Sequence, residues 1–154
     1  MATRTIPAAL TVTIKESYTL NETEFGNQTL KTFDDNSKVE QRIMEVNSMG
    51  DGTVWTGIMD LSAADSAGNV IQVDFKYFRV TNLDDTSNLN LRFYNGVDYL
   101  ILAILPEASI VLMDASVDAT TASVAATFAD IQSIEGQSSD ASDGVDIEFI
   151  IVTS

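Results

Sequence analysis

The stretch 89-LNLRFYNGVDYLILAILPEASIVLM-113 predicts three β-strands joined by two turns. Apolar and polar residues alternate over 89–93, as they do in a strand with one buried face. Asn95-Gly96 follows, and because both residue types accept positive φ, the pair predicts a type I′ hairpin turn. Residues 97–105 are almost all apolar and predict a strand that is buried on both faces. Pro106-Glu107 ends that strand, and residues 108–113 form the next one.

The same alternation continues outward on both sides of this stretch. Phe128, Ile131 and Ile134 fall at helical spacing, which predicts one short helix near residues 126–135. About eight or nine short strands separated by turns are typical of an all-β, antiparallel β-sandwich, and we expect a jelly-roll-like arrangement. The further strands are predicted at residues 10–14, 29–33, 38–46, 53–61, 70–80 and 145–152.

The length of 154 residues fits one domain. Pro7 precedes the first strand, so we expect residues 1–7 to form an extended N-terminal arm and residues 8–154 to form a single β-sandwich domain. The start, MATRTIPAAL, lacks the apolar core of a signal peptide, and the longest strongly apolar run, 99–105, is too short to span a bilayer. We therefore expect a protein that is assembled inside a cell and has no membrane partner.

The composition excludes several kinds of catalytic and binding site. The chain has no cysteine and no histidine, which rules out disulfides, thiolate nucleophiles, iron–sulfur clusters, imidazole ligands and His-dependent triads. Carboxylate pairs could still serve glycoside hydrolysis, and segments 34–37 and 82–86 could offer oxygen ligands to calcium, although turns between strands have the same composition. We expect no enzyme, and no catalytic, metal-binding or cofactor-binding residues.

The charge is strongly negative, at −15, and it is unevenly distributed. Eight basic and 13 acidic residues lie in 1–92, whereas 93–154 contain ten acidic residues and no basic one. Such a field repels phosphate backbones, so nucleic acid is not an expected partner. A solubilising surface is the plain interpretation, and an exposed face kept acidic for high salt or to avoid polyanions is the alternative.

Candidate contact residues come from the arm and from the strand registers. Arg4 and Ile6 could dock the arm on a partner protein. Phe78 and Tyr94 lie outside the inward register of their strands, which predicts that they are exposed. The other aromatic residues at strand positions are expected in the core, with a sugar-binding groove around Trp55 as the alternative.

The carboxyl-terminal half carries a series of motifs. FRVTNLDDT (78–86) leads through LNLRF (89–93) to the apolar strand at 98–105, then to PEAS (106–109) and another strand; ADIQSIE (129–135) precedes the strand at 145–152. This series, over roughly residues 70–154, resembles small virion proteins of tailed bacteriophages. It departs from their pattern at Glu107-Ala108, where the group usually has a glycine.

The resemblance implies a β-sandwich structural protein of the virion, made in the bacterial cytoplasm and assembled in many copies. The leading expectation is a capsid decoration or cement protein that contacts the major capsid protein or other virion proteins and forms a homo-oligomer. It would bury apolar surface and add strands to sheet edges, with the arm and the loops around Asn82 and Asp118 as contact elements. A tail, collar or fibre-associated module and a carbohydrate-binding or adhesin domain are the alternatives.

Overall fold

The computed structural model describes residues 8–36, 38–50, 52–61, 75–113 and 131–153. The predicted arm, with Arg4 and Ile6, and the loop around Asp118 lie outside the described residues. The strands, in chain order, are β1 (Ala8–Leu20), β2 (Thr23–Asn36), β3 (Lys38–Val46), β4 (Thr56–Asp60), β5 (Phe75–Asn82), β6 (Leu89–Tyr94), β7 (Tyr99–Ile104), β8 (Ser109–Met113), β9 (Ser133–Ser138) and β10 (Val145–Thr153).

Strands β3 to β10 form two antiparallel sheets of four strands each. Their orders are β3-β10-β5-β8 and β4-β9-β6-β7. The pairs are nested: β3 pairs with β10, β4 with β9, β5 with β8 and β6 with β7. This nesting across two sheets is the topology of a jelly roll. The predicted antiparallel, jelly-roll-like sandwich is confirmed.

The core lies between the two sheets and comes from alternate residues of their central strands. β10 contributes Ile147, Phe149 and Ile151, and β6 contributes Leu89 and Leu91. In the sequence, the β10 residues alternate with Asp146 and Glu148, which predicts this inward register. Each of these core side chains is at most 2% exposed. Because burying one such side chain contributes about 1.5–3 kcal/mol, the alternation in these strands fixes which faces meet.

The predicted helix near residues 126–135 is wrong. The described residues contain no helix, and therefore none that is long and apolar enough to cross a membrane. Residues 133–135 begin β9, and residues 126–130 lie outside the described part. Ile134 lies opposite Phe93 of β6 and is fully buried between the sheets. Pairing with β4 and β6 satisfies the backbone of this segment, and this tertiary context overrides the local spacing.

The two faces of β5 are the reverse of the prediction. Phe78 and Val80 point into the core, and Phe78 is 0% exposed, so it is not an exposed contact residue. Tyr77 points to the outer face, where the root of the β1–β2 hairpin covers it. Since each face of β5 has a buried aromatic side chain, Tyr77 on one and Phe78 on the other, alternation alone does not show which face is the core.

β1 and β2 form a long two-stranded hairpin that, in the described part of the chain, joins neither sheet. The strands have 13 and 14 residues, far more than the short strands predicted, and span roughly 40 Å. Their turn, Asn21-Glu22, has positive φ at both residues (50° and 64°), as in a type I′ turn. The turn predicted at Asn95-Gly96 is instead a four-residue loop, in which only Gly96 has positive φ.

Glu107 has a backbone conformation that suits glycine. Its φ is 58°, in a turn closed by a hydrogen bond from the Ala108 N–H to the Leu105 carbonyl oxygen at 3.1 Å. A left-handed φ costs a non-glycine residue about 1–2 kcal/mol, and a type II turn with proline in its second position usually has glycine next.

We therefore expect Glu107→Gly to raise the free energy of unfolding by about 1 kcal/mol. Urea unfolding followed by fluorescence measures this difference. Glu107→Ala is the matched control, because it removes the charge but keeps the strained φ. An equal increase in the free energy of unfolding of both variants would show that removal of the charge, and not relief of the positive φ, causes the stabilisation.

Candidate interaction surface

β7 is an apolar strand at the edge of its sheet. Among the described residues it pairs only with β6, in continuous register from Ile104 to Tyr99. Tyr99 and Ile101 are 59% and 42% exposed. The predicted strand is present, but the prediction that it is buried on both faces is wrong. An apolar edge strand without a lysine, proline or bulge is a template for pairing with another strand.

Beside β7, three aromatic rings surround Arg92 on the outer face of the sheet. The central carbon of the Arg92 guanidinium lies 4.4 Å from the ring centre of Trp55, 5.7 Å from that of Tyr94 and 5.9 Å from that of Tyr99. The guanidinium also donates two hydrogen bonds to the Glu135 carboxylate, the one from Nε at 2.6 Å. We call these five residues the Arg92 cluster. Cation–π contacts and the ion pair together hold the rings in place.

Strand register explains how the Arg92 cluster forms. Because Leu91 and Phe93 of β6 point into the core, Arg92 and Tyr94 point outward. Cross-strand pairing places Glu135 of β9 opposite Arg92, and Tyr99 of β7 opposite Tyr94. Directly opposed residues share one face and contact each other.

Of the predicted contact residues, only Tyr94 belongs to this surface. It lies on the outer face, but it is half-buried, and its hydroxyl donates to the Gly96 carbonyl oxygen at 2.6 Å. Phe78 is in the core, and Arg4 and Ile6 lie outside the described residues. Arg92 lies on the same strand as Tyr94, whereas Trp55, Tyr99 and Glu135 come from other segments of the chain. The outward register of β6 and the alternative groove around Trp55 are the two signals that the sequence offers. The expected core position of Tyr99 is wrong.

The loop around Asn82 is held from the inside by the Asn82 side chain. Its amide nitrogen donates to the carbonyl oxygens of Ser87, Ile104 and Leu105 at 2.9, 3.2 and 3.2 Å, and its oxygen accepts from the Asp84 N–H at 3.1 Å. Asn82 is fully buried, so it is not itself a contact residue. The described residues contain no group of three or more carboxylates placed to hold a metal ion.

Two aspartates cap their own loops. Hydrogen bonds from the backbone of Ser87 and Thr86, at 2.6 and 2.8 Å, hold the pKa of Asp84 below its ordinary value of 3.8. A hydrogen bond from the Ser142 backbone, at 2.7 Å, likewise lowers the pKa of Asp140. Because the folded state favours the ionised carboxylates, they stabilise the protein above pH 3.8, and this contribution is lost as the pH falls through the lowered pKa values.

We expect acidification below pH 3.8 to lower the free energy of unfolding of the native chain more steeply than that of the double variant Asp84→Asn/Asp140→Asn. Urea unfolding at a series of pH values measures both slopes. Asp85→Asn, at an exposed position in the same loop, is the control for removal of a charge. Identical slopes in the double variant and the native chain would contradict the capping role.

Comparison of the chain with protein-family models, with curated proteins and with solved structures gave no match.

Proposed function

We propose that the chain is a non-enzymatic structural protein of a phage virion, most specifically a capsid decoration or cement protein. The observation that carries this proposal is β7, whose exposed backbone edge and apolar side chains suit strand addition by a neighbouring protein. The sequence resemblance to small virion proteins supports the phage context. The jelly-roll topology agrees with it, since viral capsid domains use this fold, but so do lectin domains.

The Arg92 cluster strengthens the same surface. Trp, Tyr and Arg are the residue types that contribute most at protein interfaces, and here Tyr99 of β7 contacts Arg92, which in turn contacts Trp55. A standard specific interface buries about 1,600 Å² in total, which an added strand and this cluster could supply together. The partner would be the major capsid protein or another virion protein, and the net charge of −15 would keep the bound copies from trapping DNA.

Binding to expanded shells of the source particle tests this function. We expect the native chain to co-sediment with shells at a stoichiometry set by the lattice and to raise their thermal resistance. Ile101→Lys places a charge on β7 and is expected to weaken binding at least about thirtyfold. Val97→Lys is the control, because it adds the same charge at an exposed position in the preceding loop.

Equal binding by the Ile101→Lys variant and the native chain would contradict docking through β7. No binding by the native chain would overturn the decoration role. Saturation at only tens of copies per particle would instead favour a tail, collar or fibre-associated module.

The Arg92 cluster supports one function of another class, a carbohydrate-binding or adhesin domain. Aromatic rings beside a carboxylate and a guanidinium can stack on a sugar ring and bond its hydroxyls. Glycan binding by the native chain that is lost in Trp55→Ala and kept in Ile101→Lys would favour this alternative over shell docking.

A further inference from the structure

The β1–β2 hairpin has one apolar and one polar face. Directly paired residues share a face, and the register pairs Val12 with Lys31 and Tyr18 with Phe25. Even-numbered residues of β1 therefore lie on the same face as odd-numbered residues of β2. Leu30 is the one large apolar residue on the opposite face between residues 11 and 32.

The root of the apolar face is already buried against the sandwich. Phe33 is buried against Tyr77, with ring centres 6.2 Å apart, and against Val152. Leu10 and Val12 pack on the same cluster. Tyr77 and Val152 lie on the outer face of the sheet β3-β10-β5-β8, so this contact joins a hairpin face to a sheet face.

Beyond the root, the apolar side chains on this face of the hairpin are exposed to solvent. We call the apolar residues of this face beyond the root, Ile14, Tyr18, Leu20 and Phe25, the tip, and they are 43–61% exposed. The polar pair Glu16 and Asn27 lies on the same face between Ile14 and Tyr18. The rings of Tyr18 and Phe25 stack at 5.3 Å. A two-stranded hairpin is marginally stable in water on its own, so an exposed aromatic pair at its tip is suited to a covering surface.

Apolar side chains are also exposed on the sheet face beside the hairpin root. Val39 of β3 lies directly opposite Val152, and Ile43 lies four residues further along the same strand on the same face. Val39 and Ile43, the β3 stripe, are 56% and 69% exposed. The sheet face that accepts the hairpin root therefore carries two further exposed apolar side chains, with Gln41 between them on the same face.

We propose that the tip of the hairpin in one copy docks on the β3 stripe of a second copy. In the single chain the tip and the stripe are both exposed, although each continues one side of an existing contact. The β3 stripe of a second copy covers the tip of the first copy, and the tip of a further copy covers the free stripe. Each contact packs a hairpin face on a sheet face, as the root contact does. The contact is head-to-tail, so it closes into a ring or extends as a chain.

This inference rests on the proposed assembly role, but it uses a different surface from β7. Self-association places several β7 edges in one oligomer. Simultaneous binding of these edges raises the avidity for a repetitive shell. Because each copy carries a charge of −15, the apolar contact forms against repulsion. Added salt screens that repulsion and strengthens the association.

Sedimentation velocity of the full chain over a range of concentrations tests the contact. We expect reversible oligomers that tighten with added NaCl. The tip variant Tyr18→Ser/Phe25→Ser and the stripe variant Val39→Ser/Ile43→Ser are each expected to associate at least about thirtyfold more weakly. Leu30→Ser is the matched control, since it removes an exposed apolar side chain from the polar face and is expected to leave association unchanged.

Mixing the tip and stripe variants gives the most specific readout. The tip variant keeps an intact stripe and the stripe variant keeps an intact tip, so the mixture is expected to form a one-to-one heterodimer and no larger species. A native chain that stays monomeric, a mixture without heterodimers, or an equal loss in Leu30→Ser would each overturn the proposal. Shell binding by monomers that depends on Ile101 would leave the proposed function standing while the self-association fails.

Discussion

Phe78→Ala is expected to lower the free energy of unfolding by about 3–5 kcal/mol, which is a large share of the stability of a domain this size. Phe78 is fully buried, and its ring lies 6.5 Å from that of Phe149 in the centre of the core. Removing it deletes buried apolar surface and leaves a cavity that rigid strands on both sides cannot close. Urea and thermal unfolding of the purified variant measure the loss.

Tyr94→Ala is the control for Phe78→Ala. Both changes remove one aromatic ring, but Tyr94 is half-buried on the outer face, so its loss is expected to cost less than half as much. Comparable losses in the two variants, or a loss in Phe78→Ala below about 1 kcal/mol, would contradict the observed assignment of the faces of β5.

Asn82→Leu is expected to lower the free energy of unfolding by about 3 kcal/mol, although the leucine side chain has the same number and branching of heavy atoms as that of asparagine. The change leaves the carbonyl oxygens of Ser87, Ile104 and Leu105 without the donor that Asn82 provides inside the protein. Each buried polar group that loses its partner costs about 1–3 kcal/mol, and the losses are not additive.

The same unfolding experiment distinguishes this cause from a general effect of the substitution. Asn90→Leu makes the same change at a half-buried position on the outer face of β6 and is expected to shift the free energy of unfolding by less than about 0.5 kcal/mol. Hydrogen exchange would also show faster exchange at the Asp84 and Glu107 amides in Asn82→Leu, because Glu107 N–H donates to the Asp84 carbonyl in the same loop. Unchanged exchange at both amides would contradict the bridging role of Asn82.

Parts of the interaction surface were predictable and parts were not. The outward position of Tyr94 follows from the inward register of Leu91 and Phe93, which is a local property. Tyr99 and Glu135 join the Arg92 cluster because β7 and β9 are adjacent to β6, and β9 lies about 40 residues further along the chain. The apolar run at residues 97–105 predicts a strand buried on both faces, but Tyr99 and Ile101 are exposed. An apolar run has the same pattern in a central strand and in an edge strand, so the sequence does not distinguish the two positions.

The sequence by itself determined the positions of most strands and the inward residues of β6 and β10, because alternation with a period of two is local and has one meaning where a single face is apolar. The tertiary structure decided which face of β5 forms the core, that residues 133–135 are a strand, and that β7 lies at an edge. It also made one long hairpin from two predicted short strands. Each of these outcomes depends on which distant segments become neighbours, and hydrogen bonding and burial between them outweigh the local preferences of the chain.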